Sequence, residues 1–288
     1  MSDHATLRMG LPKGRMYEGV TTLLRDAGIP VAVGGRGYRP TVGLEDTEVK
    51  LLKPQNIVEM LANGSRDVGF AGADWVAELD LDLVEVLDTG LDPVRLVAAA
   101  PTWDLVDGLL PDRPLVVASE YEGLTRSWVA RRRIDARVVR SYGATEVFPP
   151  EDADCIVDNT ATGGTLAANG LTVVDELLRS STRLYASRAA WERPAWRARI
   201  EDLALVLGSV LEARRRVMIE VNVVASCLDA VVAILPCMRE PTVCRLHGDA
   251  GFAVKAAVLR SELARLIPQV RSLGGSDLVV TDISQLVP

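Results

Sequence analysis

The sequence predicts an α/β protein that ends in a smaller α+β module, and three observations carry that expectation. Strand-like apolar runs alternate with helical patterns from Leu7 to Ser187, an order that favours mostly parallel sheets. The segment Asp154 to Leu166 drops from an apolar run into an acid and then into a Thr/Gly loop that opens a second apolar pattern. After a long helical stripe the texture changes to strand, helix, strand, strand, helix, strand, a split β-α-β arrangement.

In chain order, Leu7 to Leu11 reads as a strand and Met16 to Ala27 as a helix with apolar residues at 16, 20, 23, 24 and 27. Glu48 to Leu52 is a strand, Pro54 to Asn63 a helix stopped by Gly64, and Val68 to Ala71 a strand ending in Gly72-Ala73-Asp74. Val84 to Asp88 and Val94 to Ala99 are expected as two further strands, and Pro101 closes the block. Leu115 to Ala118 opens a second unit, followed by a helix over 124–133 and a strand over 137–140. Asp175 to Arg179 starts a return path, Arg183 to Ser187 is a strand, and Pro194 to Arg216 is a connecting helix with a stripe at 203, 206, 207, 210 and 211. The final module has strands at 217–224, 242–245, 252–258 and 278–281, with helices at 226–234 and 261–272, the pattern of ferredoxin-like modules. No internal repeat is present. Two α/β lobes joined by returning segments also describe the periplasmic-binding-protein-like architecture. The expected division is 1–100 with 183–210 as a first lobe, 101–182 as a second, and 211–288 as the terminal module.

Composition narrows the function. A chain of 288 residues with 48% hydrophobic and 25% charged residues is of ordinary globular type. Its longest apolar stretches, such as Leu96 to Pro101, fall far short of the roughly 20 residues of a membrane span. The polar start, Met1 to Thr6, has no signal-peptide pattern, so a cytoplasmic location is expected. A net charge of −7 argues against a general nucleic-acid surface. Cysteines 155, 227, 237 and 244 match no zinc or redox spacing and are expected as reduced packing residues. With only His4 and His247, no histidine-based catalytic arrangement is expected.

The chemistry concentrates at strand ends. Gly163 and Gly164 permit conformations closed to other residues and let main-chain N–H groups approach an anion, while Thr160, Thr162 and Thr165 supply hydroxyls. Asp158, just before this loop, needs hydroxyl donors or a metal to tolerate a neighbouring phosphate. A sugar phosphate satisfies both, although a plain strand, turn and capped helix has the same grammar. Lys13 and Arg15 follow the first strand, Lys53 the second and Asp74 the third, while Arg95 lies within a strand. Together they outline a cleft of cations facing a phosphate cradle; singly, each basic residue reads as a solvated charge and Asp74 as a helix cap.

Several of these segments resemble one family. Leu11-Pro12-Lys13-Gly14-Arg15, the run from Arg66 to Asp74, Arg95-Leu96-Val97, Asp154 to Leu166 with Asn169-Gly170-Leu171, and Ser180-Ser181-Thr182-Arg183-Leu184 are similar to the ATP phosphoribosyltransferases, over nearly the whole chain. The terminal module resembles the ACT-like regulatory domain of that family's long form. The resemblance implies that N1 of ATP attacks C1 of phosphoribosyl pyrophosphate with Mg²⁺ as cofactor, in the first step of histidine biosynthesis, under feedback inhibition by histidine. It implies dimers assembled into hexamers.

Residue by residue, the resemblance gives Asp154, Asp158, Asn159, Thr160, Ala161, Thr162, Gly163, Gly164 and Thr165 to the phosphoribosyl donor, with Asp158 orienting ribose hydroxyls or a hydrated Mg²⁺ whose ligands stay open. Lys13, Arg15, Lys53, Asp74, Arg95 and Glu146 fall to ATP and its phosphates, and Lys13, Arg15 and Asp158 to catalysis. Position 53 departs from the arginine expected in many relatives and so lacks its two-pronged geometry. Glu220, Asn222 and Thr242 match positions that hold histidine, though Val224-Ala225-Ser226 lacks the expected proline. The alternatives are a non-catalytic two-lobed anion-binding or regulatory protein, or a phosphoribosyltransferase with a nucleobase acceptor. The second of these enzymes commonly carries two adjacent acids before its loop, whereas here Asp158 is followed by Asn159.

Overall fold

The structure is a computed structural model that describes residues 6–34, 37–238 and 240–287. By internal contacts it forms two compact units, one reaching to Thr22 and running from Pro30 to Glu201, the other made of Leu23–Ile29 and the chain from Asp202 onward. The chain begins with β1 (Leu7–Pro12), α1 (Met16–Asp26), a short pair β2 (Val31–Ala32) and β3 (Thr41–Val42), then β4 (Thr47–Leu52), α2 (Pro54–Ala62), β5 (Val68–Gly72) and α3 (Ala73–Leu79). It continues with β6 (Val84–Pro101), β7 (Leu115–Ser119), α4 (Glu122–Arg132), β8 (Ala136–Arg140), β9 (Cys155–Thr160), α5 (Gly164–Ala168), β10 (Leu171–Ala186) and α6 (Arg188–Trp191). α7 (Pro194–Arg215) leads into the second unit.

Apart from β2 and β3, which pair with each other, these strands form one eight-stranded sheet in the order β4-β1-β5-β10-β6-β9-β7-β8. The outer triplets β4-β1-β5 and β9-β7-β8 are parallel, whereas β10 runs antiparallel to β5 and β6, and β6 antiparallel to β9. The two strands expected over 84–99 are one 18-residue strand, and the return path expected from Asp175 and the strand expected from Arg183 belong to one 16-residue strand, Leu171–Ala186. Gly90 and Asp92, both at positive φ, break the apolar alternation that sequence patterning relies on. The ladder survives because register shifts along β10 absorb the extra residues as bulges.

Burial follows the pattern. Leu7, Met9 and Leu11 on β1 and Leu96 to Ala100 on β6 are almost fully enclosed, as strands covered on both faces require. Helix α2 lies close over β1 and β5: a Cβ on Gly69 would meet Ile57 Cγ2 at 2.7 Å and the Gly10 carbonyl at 3.1 Å. Glycine is therefore required there by contact. At the start of β1, the buried Asp67 accepts hydrogen bonds from the Arg8 N–H at 2.8 Å, Arg8 Nε at 3.0 Å and Arg193 Nη2 at 3.2 Å. Burial alone would raise this carboxyl, but the Arg8 hydrogen bonds outweigh it and hold the group below the ordinary carboxylate range.

The second unit carries β11 (Arg216–Val223), α8 (Leu228–Ile234), β12 (Thr242–Arg245), β13 (Phe252–Leu259), α9 (Leu263–Ser272) and β14 (Ser276–Asp282). Its four-stranded antiparallel sheet has the order β12-β13-β11-β14, the ferredoxin-like arrangement. Val217, Ile219, Val221 and Val223 alternate into a core with Val254, Ala256, Val258, Val231, Leu266 and Val270. Residues 216, 218, 220 and 222 consequently point to the opposite face.

Candidate functional site

The two parallel triplets run in opposite directions, so their carboxyl ends face each other over the middle of β6 and β10, and the turns that follow them converge there. A cleft of about 440 Å³ is lined by Lys13 and Arg15 after β1, Asp74 and Trp75 after β5, Glu120 and Tyr121 after β7, Asn159 at the end of β9, and Ser180 to Thr182 on β10. That is where open α/β sheets place ligands, and the volume lies within the range of small-molecule sites. A second hollow of about 280 Å³ is lined by Glu146, Asp158 and residues 160–166 other than Gly163. Arg15 and Asn159 line both hollows.

Between the two halves of the sheet lies a buried hydrogen-bond chain. Asp74 sits in the first turn of α3, 5% exposed, and accepts from Tyr121 Oη at 2.6 Å and Ser180 Oγ at 2.8 Å. The Asp74 N–H in turn donates to Ser180 Oγ at 3.0 Å. Tyr121 Oη also accepts from Asn159 Nδ2 at 3.0 Å, and its ring stacks on Trp75 with centroids 4.6 Å apart. Burial, with Asp74 beside it, pushes the Tyr121 phenol far above its ordinary value, so the hydroxyl remains a donor. Sequence reasoning gives no site role to Tyr121, Trp75, Ser180, Asp92 or Glu120. Tyr121 carries one signal in the sequence: it follows a strand end, as Lys13 and Asp74 do.

The loop after β9 is braced from within. Thr160, 8% exposed, accepts the Gly163 N–H on Oγ1 at 2.9 Å, and Gly163 stands at φ +83° ahead of α5. Asn159 donates its N–H to Asp158 Oδ1 at 2.7 Å. Burial is the main cause that pushes the Asp158 carboxyl up to about 6, and the nearby Glu146 and Glu120 add to it. Such a carboxyl is poised to receive a cation or hydroxyl donors. Lys13 lies exposed over the Tyr38 ring at 5.6 Å, in a turn made possible by Gly14 at φ +82°.

Not all of the expected residues meet here. Asp154 stands at the opposite end of β9, ion-paired to Arg113 at 2.7 Å and accepting the Val116 N–H at 2.7 Å. Lys53 is exposed at the N-cap of α2, and its neighbours Pro54 and Gln55 reach the larger cleft. Arg95 is paired in register with Thr160 across β6 and β9, and its guanidinium contacts Glu176 at 3.2 Å. Glu146 lies on a 3-10 turn beside Asp158.

In the second unit, Glu220, Lys255 and Thr242 occupy one row across β11, β13 and β12, with Glu220 Oε1 and Lys255 Nζ 2.7 Å apart. Asn222 lies one row along the same face and donates to Asp277 at 3.3 Å. His247 is on a 3-10 turn of this unit, and His4 lies outside the described residues. Among the described residues no helix is long and apolar enough to cross a membrane.

Known proteins resemble this chain over most of its length. The family model described as HisG, ATP phosphoribosyltransferase, matches residues 53–209, and that of the HisG C-terminal domain matches 213–285. ATP phosphoribosyltransferase of Chlorobium luteolum is 34% identical over 291 aligned positions, covering 99% of each chain. The same-named protein of Pelotomaculum thermopropionicum is 34% identical over 98% of this chain and 99% of its own. Among solved structures, the ATP phosphoribosyl transferase (HisG:HisZ) complex from Thermotoga maritima superposes with a TM-score of 0.64 at 24% identity, over 72% of this chain and 99% of that one.

Proposed function

The chain belongs to the ATP phosphoribosyltransferase family of histidine biosynthesis, and from that premise we propose that the two hollows joined by Arg15 and Asn159 hold its two substrates. The smaller hollow takes phosphoribosyl pyrophosphate, with the 5′-phosphate against residues 160–165 and the ribose hydroxyls on Asp158. The larger takes ATP, with the half-buried Trp75 as apolar surface, backed by Tyr121, and Asp74 as an acceptor. The single observation that carries this division is that Arg15 and Asn159 line both. A reacting centre shared by the donor's C1 and the adenine N1 has to lie where the two hollows meet.

Displacement at C1 builds positive charge on the ribose and negative charge on the departing pyrophosphate, as glycosyl transfer generally does. Asp158 sits beside the ribose and stabilises the first; Lys13 and Arg15 face the second. No side-chain nucleophile is required, and catalysis rests on orienting two large anions and on charge placed in advance. Mg²⁺ fits as a companion of the pyrophosphate. Among the described residues no group of three His, Cys, Asp or Glu side chains forms a cage, while Asp158 and Glu146 offer the one or two hard oxygen ligands that Mg²⁺ takes beside phosphates and water. When bound, the ion supplies charge neutralisation of the leaving group.

We assign the outward row Glu220, Lys255 and Thr242, with Asn222 beside it, to histidine as a feedback inhibitor. The catalytic unit is read as two lobes around the cleft, the second unit as a regulatory domain, and the active form as a homo-oligomer built from dimers. The deciding experiment mixes the protein with ATP, phosphoribosyl pyrophosphate and Mg²⁺, follows phosphoribosyl-ATP by mass, and repeats the mixture with histidine and with free nucleobases in place of ATP. Phosphoribosyl-ATP formation suppressed by histidine is expected. Product from a nucleobase alone, or none from either acceptor, overturns the assignment.

A further inference from the structure

We infer that Tyr121 is a positioning residue that ties Asp74 to Asn159, so that the wall facing the nucleotide and the strand feeding the phosphoribosyl loop are set as one unit. This rests on the two-substrate reading of the cleft. In the sheet order, β5 and β9 are separated by β10 and β6, three inter-strand steps of about 4.8 Å each. Asp74 follows the first of these strands and Asn159 ends the second. Tyr121 arrives from a third element, the N-cap of α4, and its hydroxyl spans the gap by donating to Asp74 at 2.6 Å and accepting from Asn159 at 3.0 Å.

Every part of this bridge is held. The ring is 1% exposed and stacked on Trp75, and the Tyr121 N–H donates to Ser119 Oγ at 2.9 Å, whose own hydroxyl donates to the Val157 carbonyl on β9 at 2.6 Å. Asp74 accepts from the phenol and from Ser180 Oγ, and Asn159 turns its NH₂ toward the phenol oxygen. That fixes which end of the Asn159 amide is left to face elsewhere, next to Asp158 in the chain. Loss of the hydroxyl therefore takes one hydrogen bond from each of two side chains, leaving Asp74 with its Ser180 bond, a change that loss of packing alone would not produce.

The test is a mutant cycle repeated in two backgrounds. Asp74→Asn, Asn159→Ala and their combination are made with Tyr121 present and again with Tyr121→Phe, which keeps the ring and removes the hydroxyl. Turnover (kcat and each KM) and ATP affinity by calorimetry are measured, with melting temperature as the folding control. With Tyr121 in place, Asp74 and Asn159 are expected to be coupled by about threefold or more in kcat and in ATP affinity; in the Tyr121→Phe background the coupling falls to unity. Tyr121→Phe alone lowers kcat about tenfold, with each KM moving less. Additive losses in the tyrosine background, or coupling that persists with phenylalanine, overturn the tie. If Tyr121→Phe does not fold, the first arm still overturns the tie when Asp74→Asn and Asn159→Ala lose additively. A wild-type protein that binds ATP but makes no phosphoribosyl-ATP sinks the reaction assignment, and the calorimetric cycle then reads the tie separately.

Discussion

Thr160 Oγ1 accepts the N–H of Gly163 at 2.9 Å, closing the loop after β9 with its own first hydroxyl. Gly163 stands at φ +83°, and a Cβ there would meet no neighbour within 4 Å, so the demand for glycine is conformational. Gly163→Val forces a β-branched residue into that region at a cost of about 1–3 kcal/mol, which the loop can relieve by giving up the Thr160 bond. The expected result is a rise in KM for phosphoribosyl pyrophosphate of tenfold or more, with the melting temperature nearly unchanged because the loop is at the surface. Thr160→Ser retains the brace and should stay near wild type, whereas Thr160→Val should follow Gly163→Val. Steady-state kinetics with the donor varied checks all three.

Asp67 gives the fold an acid limit. Its folded carboxyl lies below the unfolded value near 3.9 despite burial, because Arg8 donates to it. A depressed carboxyl contributes stability that is present above the unfolded value and is lost as pH falls through the folded one. Denaturant melts at several pH values should show this contribution disappearing below about pH 4. Arg8→Met leaves Asp67 buried with Arg193 as its remaining cationic partner at 3.2 Å, and a loss of about 3 kcal/mol at neutral pH is expected. Stability that does not change on this substitution would contradict the role given to the pair.

Much of the architecture was legible because strand ends in the sheet's outer triplets coincide with clear changes in pattern, at Pro12, Gly72 and Thr160. The long β6 and β10 were not, since Gly90 and Asp92 look like a break when only one strand is seen. Bulges are properties of a pair. The loop from Asp158 to Thr165 was readable for the same reason as the strand ends, while adjacency in sequence hides that four residues of extended chain carry Asp154 roughly 13 Å from Asp158. The Tyr121–Asp74 bond was out of reach altogether, because the two lie 47 positions apart and meet only once the strand order is known.

Asp154 therefore separates stability from binding. Its carboxylate is held by Arg113 and by the Val116 N–H, and those bonds keep it below the usual carboxylate range even though burial opposes them. Asp154→Asn should lower the melting temperature by a few degrees and leave KM for the donor within about twofold, while Asp158→Asn should do the reverse and reduce kcat at least a hundredfold. Equal kinetic damage from both would return Asp154 to the donor site.

Lys13 and Arg15 should differ in what they lose. Lys13 is exposed above Tyr38 and acts as a point charge, so Lys13→Ala is expected to cost about a hundredfold in kcat/KM without unfolding the protein. Arg15 lines both hollows and can engage two anionic oxygens at once. Arg15→Lys keeps the charge but not the fork, and should therefore lose about tenfold while Arg15→Ala loses more. Near-wild-type turnover in Arg15→Lys would mean that charge alone is required.

The terminal module carries a charged row. Glu220 and Lys255 are paired at 2.7 Å on its outward face, with Thr242 completing the row, so the face offers an amino acid one anion, one cation and one hydroxyl at adjacent register positions. A zwitterion binding there has to compete with the existing pair, and removing one partner changes affinity in a direction that depends on which charge the ligand uses. Glu220→Gln takes away the acceptor for an ammonium or imidazolium and should raise the histidine concentration for half-inhibition about tenfold; Thr242→Val should raise it less, about threefold. Lys255→Met frees Glu220 but removes the partner for the carboxylate, and should weaken inhibition as well. Titration calorimetry with histidine on each variant, beside inhibition of phosphoribosyl-ATP formation, reads the order; unchanged inhibition in all three would place the inhibitor elsewhere.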